Sequence, residues 1–123
     1  MRAILVTGSR DWTKNHIILN KLHSLYVDGE RTVLIHGDCR GADRIAGRIA
    51  DGIPDWQVIP MPAVGQMAGP FRNQHMLDVL KALKLCGYEC FVLAFPLPGK
   101  DTYHMISIAR EVGFDVWVYG YDS

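Results

Sequence analysis

Little in this chain is in excess. Its 123 residues hold three cysteines (Cys39, Cys86 and Cys90), a formal net charge of zero and no apolar run of membrane-spanning length. Each shortage closes a class of function. An odd cysteine number, with no second spaced pair beside Cys86 and Cys90, argues against a disulfide framework or a zinc ribbon. The thiols therefore read as reduced and cytoplasmic, and no metal or cofactor is expected. Without a basic surplus, general affinity for a DNA or RNA backbone is disfavoured. The apolar stretch after Met1 is too short for a signal peptide, and no membrane association is expected. Repeats, low-complexity tracts and linkers are missing too. A chain of this length with 49% hydrophobic residues suits one domain over residues 1–123.

What is present is an alternation of strand-length apolar runs with helical periodicity, the pattern of βαβ units. Ala3 to Thr7, Thr32 to Ile35, Gln57 to Ile59, Cys90 to Phe95 and Val116 to Tyr119 read as strands. The run from Cys90 is the most apolar and is expected to be central. Between the strands, Ile18, Leu22, Leu25 and Tyr26 share one helical face, as do Ile45, Ala46, Ile49 and Ala50. Met76, Leu77, Leu80 and Leu83 form a third stripe, and Met105, Ile108, Ala109 and Val112 a fourth. Gly87 and Gly113 are placed to end the last two helices. Five strands, four helices and right-handed crossovers predict an α/β fold, a Rossmann-like three-layer sandwich with a five-stranded parallel sheet.

In such a sheet ligands bind outside the carboxyl ends of the strands. The unusual residues of this chain fall there, in four loops: Gly8-Ser9-Arg10, Gly37-Asp38-Cys39-Arg40-Gly41-Ala42-Asp43, Gly69-Pro70-Phe71-Arg72-Asn73 and Pro98-Gly99-Lys100-Asp101-Thr102. Glycine lets a backbone approach an anion, and a helix N-terminus adds unpaired N–H groups and partial positive charge. Arg10, Arg40 and Arg72 supply bidentate donors for phosphate or carboxylate. Asp38, Asp43 and Asn73 suit ribose hydroxyls, or the task of holding the arginines. Neither G-x-x-x-x-G-K-[ST] nor G-x-G-x-x-G occurs after the first strand, so ATPase and dinucleotide-dehydrogenase readings are disfavoured.

The loop sequences Gly8-Ser9-Arg10-Asp11-Trp12, His36-Gly37-Asp38-Cys39-Arg40-Gly41-Ala42-Asp43-Arg44-Ile45-Ala46 and Ala68-Gly69-Pro70-Phe71-Arg72-Asn73-Gln74-His75-Met76-Leu77, with Ala94-Phe95-Pro96, resemble the YspA-like, cpYpsA-related branch of the SLOG superfamily. That superfamily groups the DNA-processing protein DprA with the LOG nucleotide hydrolases. The resemblance implies a Rossmann-like fold and a site for nucleotides or nucleotide-derived molecules. LOG enzymes hydrolyse an N-glycosidic bond with the motif P-G-G-x-G-T-x-x-E. Here Pro98 to Met105 is the matching segment, and Met105 stands in place of the glutamate.

That replacement removes the carboxylate that glycoside hydrolysis needs. Asp101, Asp43 and Asp38 are the candidates to supply one, and Asp101 or Thr102 also suits a helix N-cap. His36 ends a buried strand and is either a general acid or base or part of the loop scaffold. Trp12 is either a stacking surface for a base or an anchor for the first helix. His75 and His104 lie on helices without ligand spacing. The last strand, apolar on both faces near a sheet edge, suggests a homo-oligomer. The expected function is binding of a nucleotide or nucleotide-derived ligand as a sensor or sequestering module, with a nucleotide N-glycosidase and a DprA-like single-strand DNA binder as the alternatives.

Overall fold

The centre of the sheet is a stretch with no polar side chain. In β1 (Arg2–Gly8), Ala3, Ile4, Leu5 and Val6 are all fully buried, because helices cover the strand on both sides. The structure, a computed structural model, describes residues 1–63, 69–97 and 101–120, with Asp101 described by its backbone alone. After β1 come α1 (Asn15–Ser24), β2 (Thr32–His36), α2 (Ala42–Asp51), β3 (Trp56–Pro60), α3 (Gly69–Leu85), β4 (Glu89–Phe95), α4 (Asp101–Glu111) and β5 (Asp115–Val118). The strands pair in parallel throughout, in the order β3-β2-β1-β4-β5. This is the Rossmann-like three-layer sandwich expected from the alternation of periods.

The period-2 alternation of the strands divides the interior into two cores. Ile4, Val6, Leu34, Leu93 and Phe95 pack with Ile18, Leu22, Ala46 and Ala50 under α1 and α2. Ala3, Leu5, Ile35 and Val92 pack with Met76, Leu77, Leu80, Met105 and Ala109 under α3 and α4. Trp12 belongs to the first core. It is 1% exposed, edge-on to Phe95 with centroids 5.5 Å apart, and its Nε1 donates to the Lys14 carbonyl at 3.0 Å. Its ring anchors the segment leading to α1 and offers no open face to a base.

Several expected positions shift. β1 takes the centre of the sheet, with β4 beside it. α1 ends at Ser24, leaving Tyr26 exposed, and α4 ends at Glu111, leaving Val112 exposed, while Ile106 is buried in its place. Ile45 and Ile49 are half-buried because the small Ala42, Ala46, Gly47 and Ala50 form the contact face of α2. α4 begins at Asp101, which puts Asp101 and Thr102 in its first turn. Gly87 and Gly113 have φ of 94° and 92°, as helix-ending glycines do.

The strand order reverses direction between β1 and β4, so the carboxyl ends of these two strands flank the switch-point crevice. Two loops are locked together there. Ser9 N–H donates to the Phe95 carbonyl at 3.0 Å, and the Ser9 carbonyl accepts from Ala42 N–H at 3.1 Å. Gly41, just before α2, has φ of 81°, and a Cβ on it would lie 2.4 Å from the Ser9 carbonyl oxygen. Gly41→Ala is expected to cost about 2 to 4 kcal/mol, from combined backbone strain and overpacking. Urea unfolding should show a lower midpoint at an unchanged m-value.

Candidate functional site

The β2–α2 loop folds around one carboxylate. Asp38 takes a left-handed conformation, φ 55°, and its N–H donates to His36 Nδ1 at 2.9 Å. On either side of Asp38, Gly37 N–H and Cys39 N–H both point at Asp43 Oδ2, at 3.0 and 3.5 Å. Asp43 lies in the first turn of α2 and is 4% exposed. Its other oxygen, Oδ1, is buried without a hydrogen-bond partner among the described residues. One oxygen therefore staples the loop, while the second is buried without a partner among the described residues, in a side chain that belongs to the lining of a cleft.

Burial penalises that charge strongly. Desolvation raises the Asp43 carboxyl to about 6, against the pull of the nearby Arg72 guanidinium and of the two loop N–H groups. A carboxyl perturbed by burial beside a cleft, with a lone pair unused, marks a candidate functional group.

Arg72, in the first turns of α3, is held from two sides. Its Nη1 donates to the Gly37 carbonyl at 2.7 Å and to Cys39 Sγ at 3.5 Å, and its Nε donates to Asn73 Oδ1 at 3.3 Å. Gly37 has to be glycine for this, because a Cβ there would lie 2.6 Å from Arg72 Nη1. Asn73 is 7% exposed, and its Nδ2 lies 3.1 Å from His104 Nδ1, joining the first turns of α3 and α4. An amide N–H₂ is donor-only, so His104 accepts on Nδ1 and carries its proton on Nε2.

These groups line a cleft of about 270 Å³ with Thr7, Gly8, Arg10, Cys39, Gly69, Pro70, Met76 and Thr102. It is bounded by the β1 carboxyl end and by residues at the starts of α2, α3 and α4, whose partial positive charge favours an anion or an electron-rich oxygen. An outer depression of about 490 Å³ adjoins it, lined by Arg10, Gly37, Asp38, Cys39, Arg40, Arg44, Pro62, Ala63, Gly69 and Arg72. Arg40 is paired with Asp11 at 3.3 Å and Arg44 with Asp38 at 3.2 Å.

Most of the sequence-derived candidates therefore sit around one site. Gly8, Arg10, Asp43, Gly69, Pro70, Arg72, Asn73 and Thr102 line the inner cleft, and Gly37, Asp38 and Arg40 the outer depression. Ser9, Gly41 and Ala42 act behind it, as the contacts that hold the two loops together. Two candidates face elsewhere. Trp12 is in the core, and His36 packs against α2, where a Cβ on Gly47 would lie 2.6 Å from its Nε2. Burial lowers the His36 pKa, and with Nδ1 engaged it serves as a neutral loop scaffold. Pro98, Gly99 and Lys100 lie outside the described residues, as does the Asp101 side chain. Thr7, Cys39, Arg44, Met76 and His104 line the two cavities without having been singled out for them. Their signal was position alone: the end of a strand, the loop after it, or the first turns of the helix that follows.

A parallel sheet with its cleft at the β1–β4 switch point defines a Rossmann-like α/β protein whose site is built from strand-to-helix loops. The chain belongs to the YAcAr family, described as the YspA, cpYpsA-related SLOG family, whose model matches residues 2–63. The matched segment holds β1 to β3, and with them the Gly8–Arg10 and Gly37–Asp43 loops. The chain is also similar to the Gene 61 protein of Mycobacterium phage D29, at 33% identity over 131 residues that cover 98% of each chain. No helix among the described residues is long and apolar enough to cross a membrane.

The raised Asp43 carboxyl makes stability depend on pH with a definite sign. The folded state keeps the proton up to about pH 6, while the unfolded chain releases it near 3.8. Its contribution thus falls as pH rises through this window and is constant above it. Asp43→Asn removes the titration and keeps an oxygen for the loop N–H groups. The stability of the variant relative to the parent is expected to rise by roughly 2 kcal/mol between pH 4 and pH 7. A difference measured by urea unfolding that stays flat across that range would contradict a raised Asp43.

Proposed function

We propose that this protein binds a nucleotide or nucleotide-derived, phosphate-bearing ligand at the carboxyl edge of its sheet, as a sensor or sequestering module. The observation that carries the reading is the pairing of opposites in one cleft: an unpartnered carboxylate oxygen on Asp43 and a fixed guanidinium on Arg72. A carboxylate oxygen accepts from ribose hydroxyls, and a guanidinium donates to phosphate. Membership of the SLOG family supports a nucleotide-related ligand. Calorimetry with AMP is expected to show binding, and Arg72→Ala should weaken it by roughly 1.5 to 3 kcal/mol. No heat at millimolar ligand would contradict the reading.

A second reading rests on Asp43 itself. Met105, at the glutamate position of the LOG motif, is fully buried in the core beneath α3 and α4. Asp43 is the carboxylate lining the inner cleft among the described residues, with a carboxyl at about 6. A group with that affinity for protons suits general acid or base work in a nucleotide N-glycosidase. Chromatography of nucleoside monophosphates incubated with the protein separates the readings. Release of free base that is lost in Asp43→Asn makes the protein an enzyme; intact nucleotide with retained binding makes it a binding module.

We also propose that a second copy covers the β5 edge. Trp117 and Val118 are 54% and 43% exposed on that strand. The groove beside it carries both signs of charge, Arg2 and Lys21 against Glu30, Glu89 and Asp115, which allows the same patch to complement itself across a two-fold axis. Light scattering is expected to give a dimer that Trp117→Glu turns into a monomer; a monomeric parent would overturn this.

A further inference from the structure

We infer that the ligand is a nucleoside bearing at least two phosphoryl groups, its sugar in the inner cleft and its phosphates in the arginine-lined depression beside it. The inference rests on the nucleotide reading above and goes on to fix the ligand's charge and direction. Two contiguous cavities share Arg10, Cys39, Gly69 and Arg72, so one molecule can occupy both. The inner cavity, about 270 Å³, lies below the range of roughly 300 to 1,000 Å³ typical of whole ligand sites. It takes part of a nucleotide, and the rest extends outward.

Charge decides which part goes in. Asp43 is the carboxylate among the described residues that line the inner cavity, and a carboxylate repels a phosphate and accepts from a hydroxyl. Four arginines, Arg10, Arg40, Arg44 and Arg72, line the outer depression against one carboxylate, Asp38. One bidentate guanidinium or two satisfy a single phosphate; four make a site for more. Without ligand they are kept apart in different ways. Arg72 is pinned to the Gly37 carbonyl, while Arg10 makes no hydrogen bond or ion pair among the described residues. The Arg40–Asp11 and Arg44–Asp38 pairs are solvent-exposed, of the kind that contributes about 0 to 1 kcal/mol. Turning these two guanidinium groups toward an anion therefore costs little.

The test is calorimetry at fixed salt with AMP, ADP, adenosine 3′,5′-bisphosphate and a short oligothymidylate, on the parent and on an Arg40→Ala/Arg44→Ala double variant. Both side chains are exposed, so the variant folds, and circular dichroism checks that it does. ADP or the bisphosphate is expected to bind at least about tenfold more tightly than AMP, as added charge-assisted hydrogen bonds require. Whichever binds more tightly tells a pyrophosphate from two separate phosphates. The double variant should lose that advantage, its affinity for ADP or the bisphosphate falling to within about twofold of its affinity for AMP. AMP, ADP and the bisphosphate binding alike, or an advantage that survives the double substitution, would overturn the inference and leave the nucleotide site standing. Tighter binding of the oligothymidylate than of any mononucleotide would also overturn it, in favour of a strand of phosphates. No binding in any arm would remove the nucleotide reading itself.

Discussion

The Asp43 carboxylate ties the loop after β2 to the first turn of α2 through Gly37 N–H and Cys39 N–H, and the geometry of the site depends on that tie. It places the Gly37 carbonyl where Arg72 can donate to it, which brings α3 to the same edge. Arg72 then meets Asn73, and Asn73 meets His104 on α4. One buried charge thus begins a chain of hydrogen bonds joining the starts of three helices. The cost of burying it shows in the carboxyl's rise to about 6. The return shows in the oxygen left over.

The fold supplies the platform for this arrangement through packing. Alternate residues of β1 serve two separate cores, so the strand is immobilised from both faces and its end at Gly8 is a fixed reference point. The hydrogen bond from Ala42 N–H to the Ser9 carbonyl then holds the first two loops together, an approach that Gly41 leaves room for. A site held within fractions of an ångström requires such rigid support. The outer arginines differ in kind. Their exposed ion pairs are easily exchanged, which suits groups that close on a ligand after it arrives.

Much of this was legible in the sequence, because the signals were periodic or compositional. The apolar strands, the helical stripes and the placing of glycine and arginine after strands all follow from rules that depend on local spacing. The sequence left alternatives open where a side chain's direction depends on tertiary packing. His36 stands beside the site in the chain, yet the strand alternation turns its ring toward Gly47 and away from the cleft. Trp12 follows the Gly8-Ser9-Arg10 loop, but the core between α1 and Phe95 claims its ring. His104 carried no motif, and only the meeting of α3 with α4 gives it a partner. Asp43 was legible as a candidate, whereas its unpaired oxygen was not, since partnership is a property of the folded neighbourhood.

The account turns on what Asp43 Oδ1 is for, and a crystal structure of the protein soaked with AMP addresses that most directly. It predicts a ribose hydroxyl within hydrogen-bond distance of Asp43 Oδ1 and the phosphate against Arg72. A nucleotide bound elsewhere on the surface, or a phosphate oxygen turned toward Asp43, would contradict it.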